Sequence, residues 1–147
     1  RAIPLPSVAT CSCATPITPP HDEIAELFYA LGSSITVQDE SRFDAYVAGS
    51  AVMATYFGIV KAAAGWMVAN GVETADADRY FRNLFGNLGD IMRERPELSF
   101  DQLTEDHTTR GGLNELVYEH FINRGGSRAL SEGLDAVLDR IGASRAP

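Results

Sequence analysis

From Asp106 to Glu115 the chain reads DHTTRGGLNE, a stretch in which hydroxyl, amide, imidazole and guanidinium groups surround a pair of glycines. Gly111 and Gly112 stand directly before a segment with helical periodicity. The first amides of a helix have no intrahelical acceptor, which makes such a terminus a seat for an anion. Glycine there lets a ligand come close to the backbone. Thr108 and Thr109 add hydroxyls, Asn114 an amide, and His107 an imidazole. The chemistry on offer is the binding and orientation of a small anion. The same residues also describe two helices joined by a polar loop, with Gly-Gly as punctuation.

The remaining candidates offer less. His21 begins a helix, and His120 falls on an apolar stripe, where a satisfied core imidazole is expected. Glu115 and Glu119 lie four apart on one helix face, the pattern of a solvated edge. Nothing resembles a nucleophilic triad. Cys11 and Cys13 are the only cysteines. Zinc takes about four ligands, and no second Cys or His cluster completes a set. A bridge between positions i and i+2 is strained, so two reduced, partly buried thiols and no metal are expected.

Helices must position the loop. Behind it, Leu113, Leu116, Val117, His120 and Phe121 share one helical face up to Gly125 and Gly126. A last helix follows, with Leu130, Leu134, Val137, Leu138 and Ile141, before Gly142 and a polar tail. Ahead of it, Ser99 and Gln102 form a capping box for a short helix to about Asp106. Thr74 is the expected N-cap of a helix carrying Asp76 and Asp78 in its first turn and Phe81, Leu84, Phe85, Leu88, Ile91 and Met92 as its stripe. Pro96 ends it.

The longest element, Ala45 to Val72, contains one charged side chain, Lys61. A helix apolar on every side must be surrounded. Some 28 residues span roughly 42 Å, more than one small domain wraps, so part of this helix is expected to meet a second chain. A transmembrane span is the competing reading. Lys61 at mid-stretch, the diluting Gly49, Ser50, Gly58, Gly65 and Asn70, and the lack of a basic flank argue against it.

The front of the chain has a different character. Arg1 to Pro20 carries five prolines, with short extended pieces expected at Ser7–Thr10 and Ala14–Thr18. A helix follows from His21, with Ile24, Leu27, Phe28 and Leu31 in its stripe and Gly32 as its stop, then a strand over Ser33–Val37. The fold class is therefore mainly α: residues 1–39 form a small α/β remnant, and residues 40–147 an all-α domain. The chain has 147 residues, a formal charge of −8 and 45% apolar residues. That supports a real core and excludes nucleic acid or anionic lipid as the main partner. Lys61 is the only lysine against eleven arginines, a bias ascribed to coding. The chain starts at Arg1, so it is expected to be part of a longer product whose N-terminal signals are unseen.

The run Thr108-Thr109-Arg110-Gly111-Gly112-Leu113-Asn114, followed by a helix, by Gly125-Gly126-Ser127-Arg128 and by a final helix, resembles the pyrroline-5-carboxylate reductases. They carry Thr-Ser-Pro-Gly-Gly-Thr-Thr, a helix, Gly-Gly-Phe-Arg and a last helix in that order. Arg1-Ala2-Ile3-Pro4 is similar to their Arg-Ala-Met-Pro, Ala30-Leu31-Gly32 to their helix-to-strand junction, and Asp44-Ala45 to the start of their long helix. The resemblance runs from Arg1 to about Ile141. It implies a cytoplasmic NADP- or NAD-dependent reductase of proline biosynthesis that reduces a cyclic imine. Its architecture is a Rossmann domain followed by a homodimerising helical domain of the 6-phosphogluconate dehydrogenase C-terminal kind.

Carried over, the resemblance assigns substrate-carboxylate binding to Thr108, Gly111, Gly112 and Arg110, catalytic roles to Asn114 and Thr109, and the cofactor side to Pro4. Arg110 stands where the family has proline and could add a bidentate carboxylate contact. Asn114 replaces a threonine, and Leu5 replaces an asparagine. Ser50-Ala51-Val52-Met53-Ala54-Thr55 replaces Ser-Gly-Ser-Gly-Pro-Ala before a matching Tyr56. No G-x-G-x-x-G follows a strand, so this stretch alone is expected to bind a dinucleotide poorly and to be inactive. Two rival readings are a β-hydroxyacid dehydrogenase using Lys61, where Phe57 and Gly65 fill the flanking glycine and asparagine positions, and a non-catalytic oligomerisation module.

Overall fold

The computed structural model describes residues 1–145. The last two residues of the polar tail, and with them the end of the 40–147 domain, lie outside the described residues. Contacts divide the chain into two compact units, one of residues 1–53 with the segment from Leu130 onward, the other of Ala54–Ala129.

In the first unit the parallel strands β1 (Cys13–Ile17) and β2 (Gly32–Thr36) are joined by helix α1 (Asp22–Ala30), in register from Cys13 opposite Gly32 to Ile17 opposite Thr36. The other edge of β1 is covered by the first residues of the chain. Ile3 N–H donates to the Pro16 carbonyl at 3.1 Å, and Thr18 N–H to the Arg1 carbonyl at 2.9 Å. Gly32 has φ +134, and a Cβ there would lie 2.7 Å from the Cys13 backbone nitrogen. The close strand pairing therefore requires glycine at this position.

The extended piece expected at Ser7–Thr10 is instead a 3-10 helix over Pro6–Thr10. Pro6, with its fixed φ, sits where the helical turn begins, so its missing N–H costs nothing. Cys11, at φ 50, ends the turn. Of the two free thiols, Cys11 is exposed and Cys13 buried. Burial pushes the Cys13 thiol up, but hydrogen bonds from Thr15, the Leu5 amide and Ser7 outweigh it and hold the thiol below its ordinary value.

Phe43 and Ala48 of helix α2 (Glu40–Gly49) close the core of this unit together with Cys13, Thr15, Ile17 and Val37. Asp39 caps α2, accepting from the Arg42 amide at 2.8 Å. Arg1 stacks its guanidinium 4.5 Å from the Phe43 ring centroid and pairs with Glu40, while Arg145 pairs with Asp44. The first unit also holds most of α7 (Gly126–Ala143), whose Leu134, Val137, Leu138 and Ile141 are half-buried.

The long apolar helix is interrupted once. A 3-10 turn at Ser50–Val52 separates α2 from α3 (Met53–Ala69). Gly49 and Ser50 supply the cause: a Gly/Ser pair is a weak point, and Ser50 Oγ turns back onto the Val47 carbonyl at 2.7 Å.

In the second unit α3 is followed by α4 (Thr74–Glu94), α5 (Phe100–Asp106) and α6 (Leu113–Asn123). Helix α4 begins one residue earlier than its sequence suggests: Glu73 is the cap, and Thr74 is already helical. An aromatic cluster joins α3 to α4, with Tyr56 and Phe85 edge to face at 5.8 Å and Phe81 beside Phe85 at 6.1 Å. Ala77 is the one fully buried hydrophobic residue of this unit among the described residues. Trp66 is 68% exposed and Leu113 83%, and Phe57, Phe100, Leu116 and Val117 are exposed with them. His120, expected in a core, is exposed, because the stripe of α6 that carries it is uncovered. By length and composition the run Glu40–Ala69 could cross a membrane, yet only 6% of its most apolar window is buried within the chain.

Candidate functional site

The loop between α5 and α6 belongs wholly to the second unit. Its entry is fixed by the expected capping box: Ser99 Oγ accepts from the Gln102 amide at 3.2 Å, and Gln102 Oε1 accepts from the Ser99 amide at 2.9 Å. The helix unwinds at His107, whose Nδ1 lies 2.8 Å from the Leu103 carbonyl. Thr108 Oγ1 donates to the Thr104 carbonyl at 2.5 Å. That hydroxyl proton is spent on the backbone, while its oxygen keeps acceptor capacity.

A tight turn follows. Gly112 N–H donates to the Thr109 carbonyl at 2.7 Å, and Gly111 sits at φ +75, in the left-handed region. A Cβ on Gly112 would meet that same carbonyl oxygen at 2.7 Å. Both glycines are thus required by the turn, whatever else they do. Gly112 then caps α6 with extended backbone and no side-chain acceptor, which leaves the first helical amides pointing outward without an intrahelical partner.

Two side chains of the first turn of α6 fold back over the loop. Asn114 Nδ2 donates to the His107 carbonyl at 2.9 Å, and Glu115 Oε2 accepts from the Gly111 amide at 2.5 Å. The structure therefore gathers Thr108, Thr109, Arg110, Gly111, Gly112 and Asn114 into one hydrogen-bonded turn. Arg110 is exposed and carries no ion pair among the described residues. Pro4 belongs to the other unit and is exposed. Glu115 is the participant that the sequence reading assigned to a solvated edge. Its place three residues after the helix cap, as in a capping box, was the signal that could have found it.

Such a turn can orient a small polar ligand through backbone N–H groups, the Thr109 hydroxyl and the Arg110 guanidinium. One groove, about 760 Å³, lies between α3 and α4 and is walled by Tyr56, Phe57, Phe81 and Phe85, with Lys61 and Arg82 among its polar residues. Lys61 is exposed there, with Phe57 and Gly65 four residues to either side. Among the described residues no three His, Cys, Asp or Glu side chains gather as a metal site would require.

Neither of the turns that follow the two strands is a glycine-rich phosphate seat. The turn after β1 is Thr18-Pro19-Pro20-His21, without glycine. The turn after β2 ends on Asp39, whose own carboxylate takes the helix amide that a phosphate would need.

No protein-family model matches the chain, and no curated protein does. Solved structures do. A pyrroline-5-carboxylate reductase from Coxiella burnetii superposes with a TM-score of 0.83 at 21% identity, over 100% of this chain and 57% of its own. The Plasmodium falciparum pyrroline carboxylate reductase, solved with NADP bound, gives 0.78 at 11% identity over 99% of this chain and 62% of its own. The 1-pyrroline-5-carboxylate reductase of Streptococcus pyogenes gives 0.74 at 17% identity over 95% and 56%. The chain thus has the fold of these reductases, a helical domain after a small parallel α/β piece, and spans about three fifths of their length.

Proposed function

We propose that the chain is the helical, substrate-holding part of an NAD(P)H-dependent oxidoreductase that reduces a cyclic imine bearing a carboxylate. The observation that carries this reading is the superposition of the whole chain on pyrroline-5-carboxylate reductases. It is supported by the glycine turn at the head of α6, where backbone amides and a threonine hydroxyl suit a carboxylate. Residues 1–39 are read as the end of a cofactor domain and residues 40–147 as the helical domain. The pyrophosphate of NADP or NAD is assigned to residues outside this chain, with Pro4 at the margin of the cofactor site. This piece alone is read as inactive.

Within the turn, Gly111, Gly112, Thr108 and Arg110 are assigned to the substrate carboxylate, and Thr109 and Asn114 to the neighbourhood of the imine. The partner is a second copy of the chain, joined through the helical domain, and the compartment is the cytoplasm. The uncovered apolar side chains of α3 and α6 support that pairing, since an exposed apolar surface of this extent marks an interaction face.

The test is the full-length protein with NADPH or NADH and 1-pyrroline-5-carboxylate, followed by cofactor absorbance and product analysis. Cofactor oxidation that depends on the imine supports the reading. Oxidation of a 3-hydroxy acid instead would transfer the chemistry to Lys61. Absence of cofactor binding would leave an oligomerisation module.

A further inference from the structure

The polar tail after α7 is drawn back onto α2. The Ser144 amide donates to the Arg140 carbonyl at 3.2 Å, the Arg145 amide to the Gly142 carbonyl at 3.1 Å, and Ser144 Oγ to the Ile141 carbonyl at 2.7 Å. These bonds continue the helix by a turn and fix where the Arg145 side chain starts. Its guanidinium grips the Asp44 carboxylate with both arms, Nη1 on Oδ2 and Nη2 on Oδ1, the second at 2.6 Å, and Nη2 also lies 3.4 Å from Glu40 Oε2. Arg1 reaches the same two acids, with Nη1 on Glu40 Oε2 and Nη2 3.4 Å from Asp44 Oδ1. Residues 1 and 145 therefore meet on one turn of α2.

Glu40 and Asp44 stand four apart on that helix, a spacing at which two carboxylates repel and weaken it. The two guanidiniums neutralise them, and each arginine bridges both acids. The Asp44 side chain is only 13% exposed, so this two-armed pair is partly withdrawn from water, where it is stronger than a fully solvated one. Helix α7 depends on it, because Leu134, Val137, Leu138 and Ile141 are only half-buried and none of its residues is fully buried. Incomplete apolar cover leaves a larger share of the docking to the ions.

We infer that Arg145 is the catch of an ionic strap, which closes the C-terminal end of α7 onto α2 through Asp44 and loosens as ionic strength rises. When salt screens the pair, or when Arg145 is removed, the last turns of α7 come free. Helix α2 stays in place, held by its Asp39 cap and by the buried Phe43. The strap involves no ligand and stands apart from the reading of the α5–α6 loop.

The experiment is hydrogen–deuterium exchange of the 147-residue chain, read by NMR at single amides in wild type, Arg145→Gln, Arg145→Lys and Asp44→Asn. Each is measured in about 0.1 M and about 1 M sodium chloride, between which the screening length falls from roughly 10 Å to 3 Å. In wild type the amides of residues 138–143 should exchange about three- to fivefold faster at high salt, the upper part of the range for ion pairs open to solvent. Arg145→Gln keeps N–H donors and loses the charge. It should exchange at low salt as fast as wild type does at high salt, and lose the salt response. Arg145→Lys, with the charge but not the fork, should fall between the two. Asp44→Asn should match Arg145→Gln at these amides, and combining the two should add nothing. Residues 40–49 should change less than residues 138–143 in the Arg145 variants.

Exchange at residues 138–143 that ignores salt in wild type overturns the inference, as does Arg145→Gln indistinguishable from wild type at low salt. Equal acceleration of every helix in the Arg145 variants also overturns it, since that marks a general loosening and no strap. If Asp44→Asn does not fold, the two Arg145 variants decide the matter alone, because an exposed tail residue is no part of the core.

Discussion

Asn114 Nδ2 and the carbonyl oxygen of His107 are 2.9 Å apart across seven residues, so the first turn of α6 is tied to the last turn of α5 by one side-chain hydrogen bond. That bond spans the glycine turn and holds its two ends together. Asn114→Ala removes the donor and leaves the His107 carbonyl to water. The expected loss is about 1 kcal/mol in urea unfolding, with faster amide exchange confined to residues 107–113. Unchanged exchange there would show that the glycine turn holds itself.

Gly32→Ala tests the strand pair. The substitution places a methyl group against the Cys13 backbone and asks alanine to adopt φ +134. Neither can relax without breaking the β1–β2 register. Destabilisation of more than about 2 kcal/mol is expected, read as a drop in thermal midpoint. A midpoint within a degree or two of wild type would mean that the register is not as described.

Asp39 gives a pH dependence whose sign is fixed. Hydrogen bonds from the Arg42 amide and the Ser41 hydroxyl hold its carboxyl below the ordinary carboxylate value. A group whose pKa is lowered by folding stabilises the native state above its unfolded pKa and ceases to do so as pH falls through the lowered native value. Asp39→Ala should therefore be less stable than wild type at neutral pH, and the gap should close on acidification through the carboxylate range. A gap that persists in acid would show that α2 is capped otherwise. Asp39→Asn, which can still cap, should lose less.

Much of this architecture was legible in the residues, and the places where it was not have physical reasons. Ser99 and Gln102 announce their capping box because both partners are local in sequence. β1 and β2 are readable because a short β-favouring run and a glycine stop bracket a helix. Ser7–Thr10 carries β-favouring side chains, but the ability of Pro6 to start a helical turn outweighs them. His120 shares a face with the apolar residues of α6 yet is exposed, because periodicity says which residues share a face and not what covers it. The glycine turn could be found from Gly111-Gly112 alone. That the Glu115 carboxylate is folded onto the Gly111 amide could not, since the same i,i+4 spacing to Glu119 also describes a solvated edge.

The uncovered faces carry a prediction about association. A dimer's stability depends on concentration, so the thermal midpoint of the chain should rise on going from dilute to concentrated solution. Substituting an exposed apolar anchor of α3, as in Phe57→Asp, should abolish that rise while the circular dichroism of the concentrated wild type and the variant stays helical. A midpoint independent of concentration would place the apolar side chains outside any self-association.

Sedimentation velocity on the wild-type chain and on Trp66→Glu tests most directly whether the exposed face of α3 is covered by a second copy. Trp66 is 68% exposed, so a charge there has no folding role to disturb and strikes only what covers it. The expected result is a wild-type species of twice the 15.9 kDa chain mass and a variant shifted to the single-chain mass. A wild-type chain that sediments as one copy at the highest concentration reached, indistinguishable from Trp66→Glu, would contradict it.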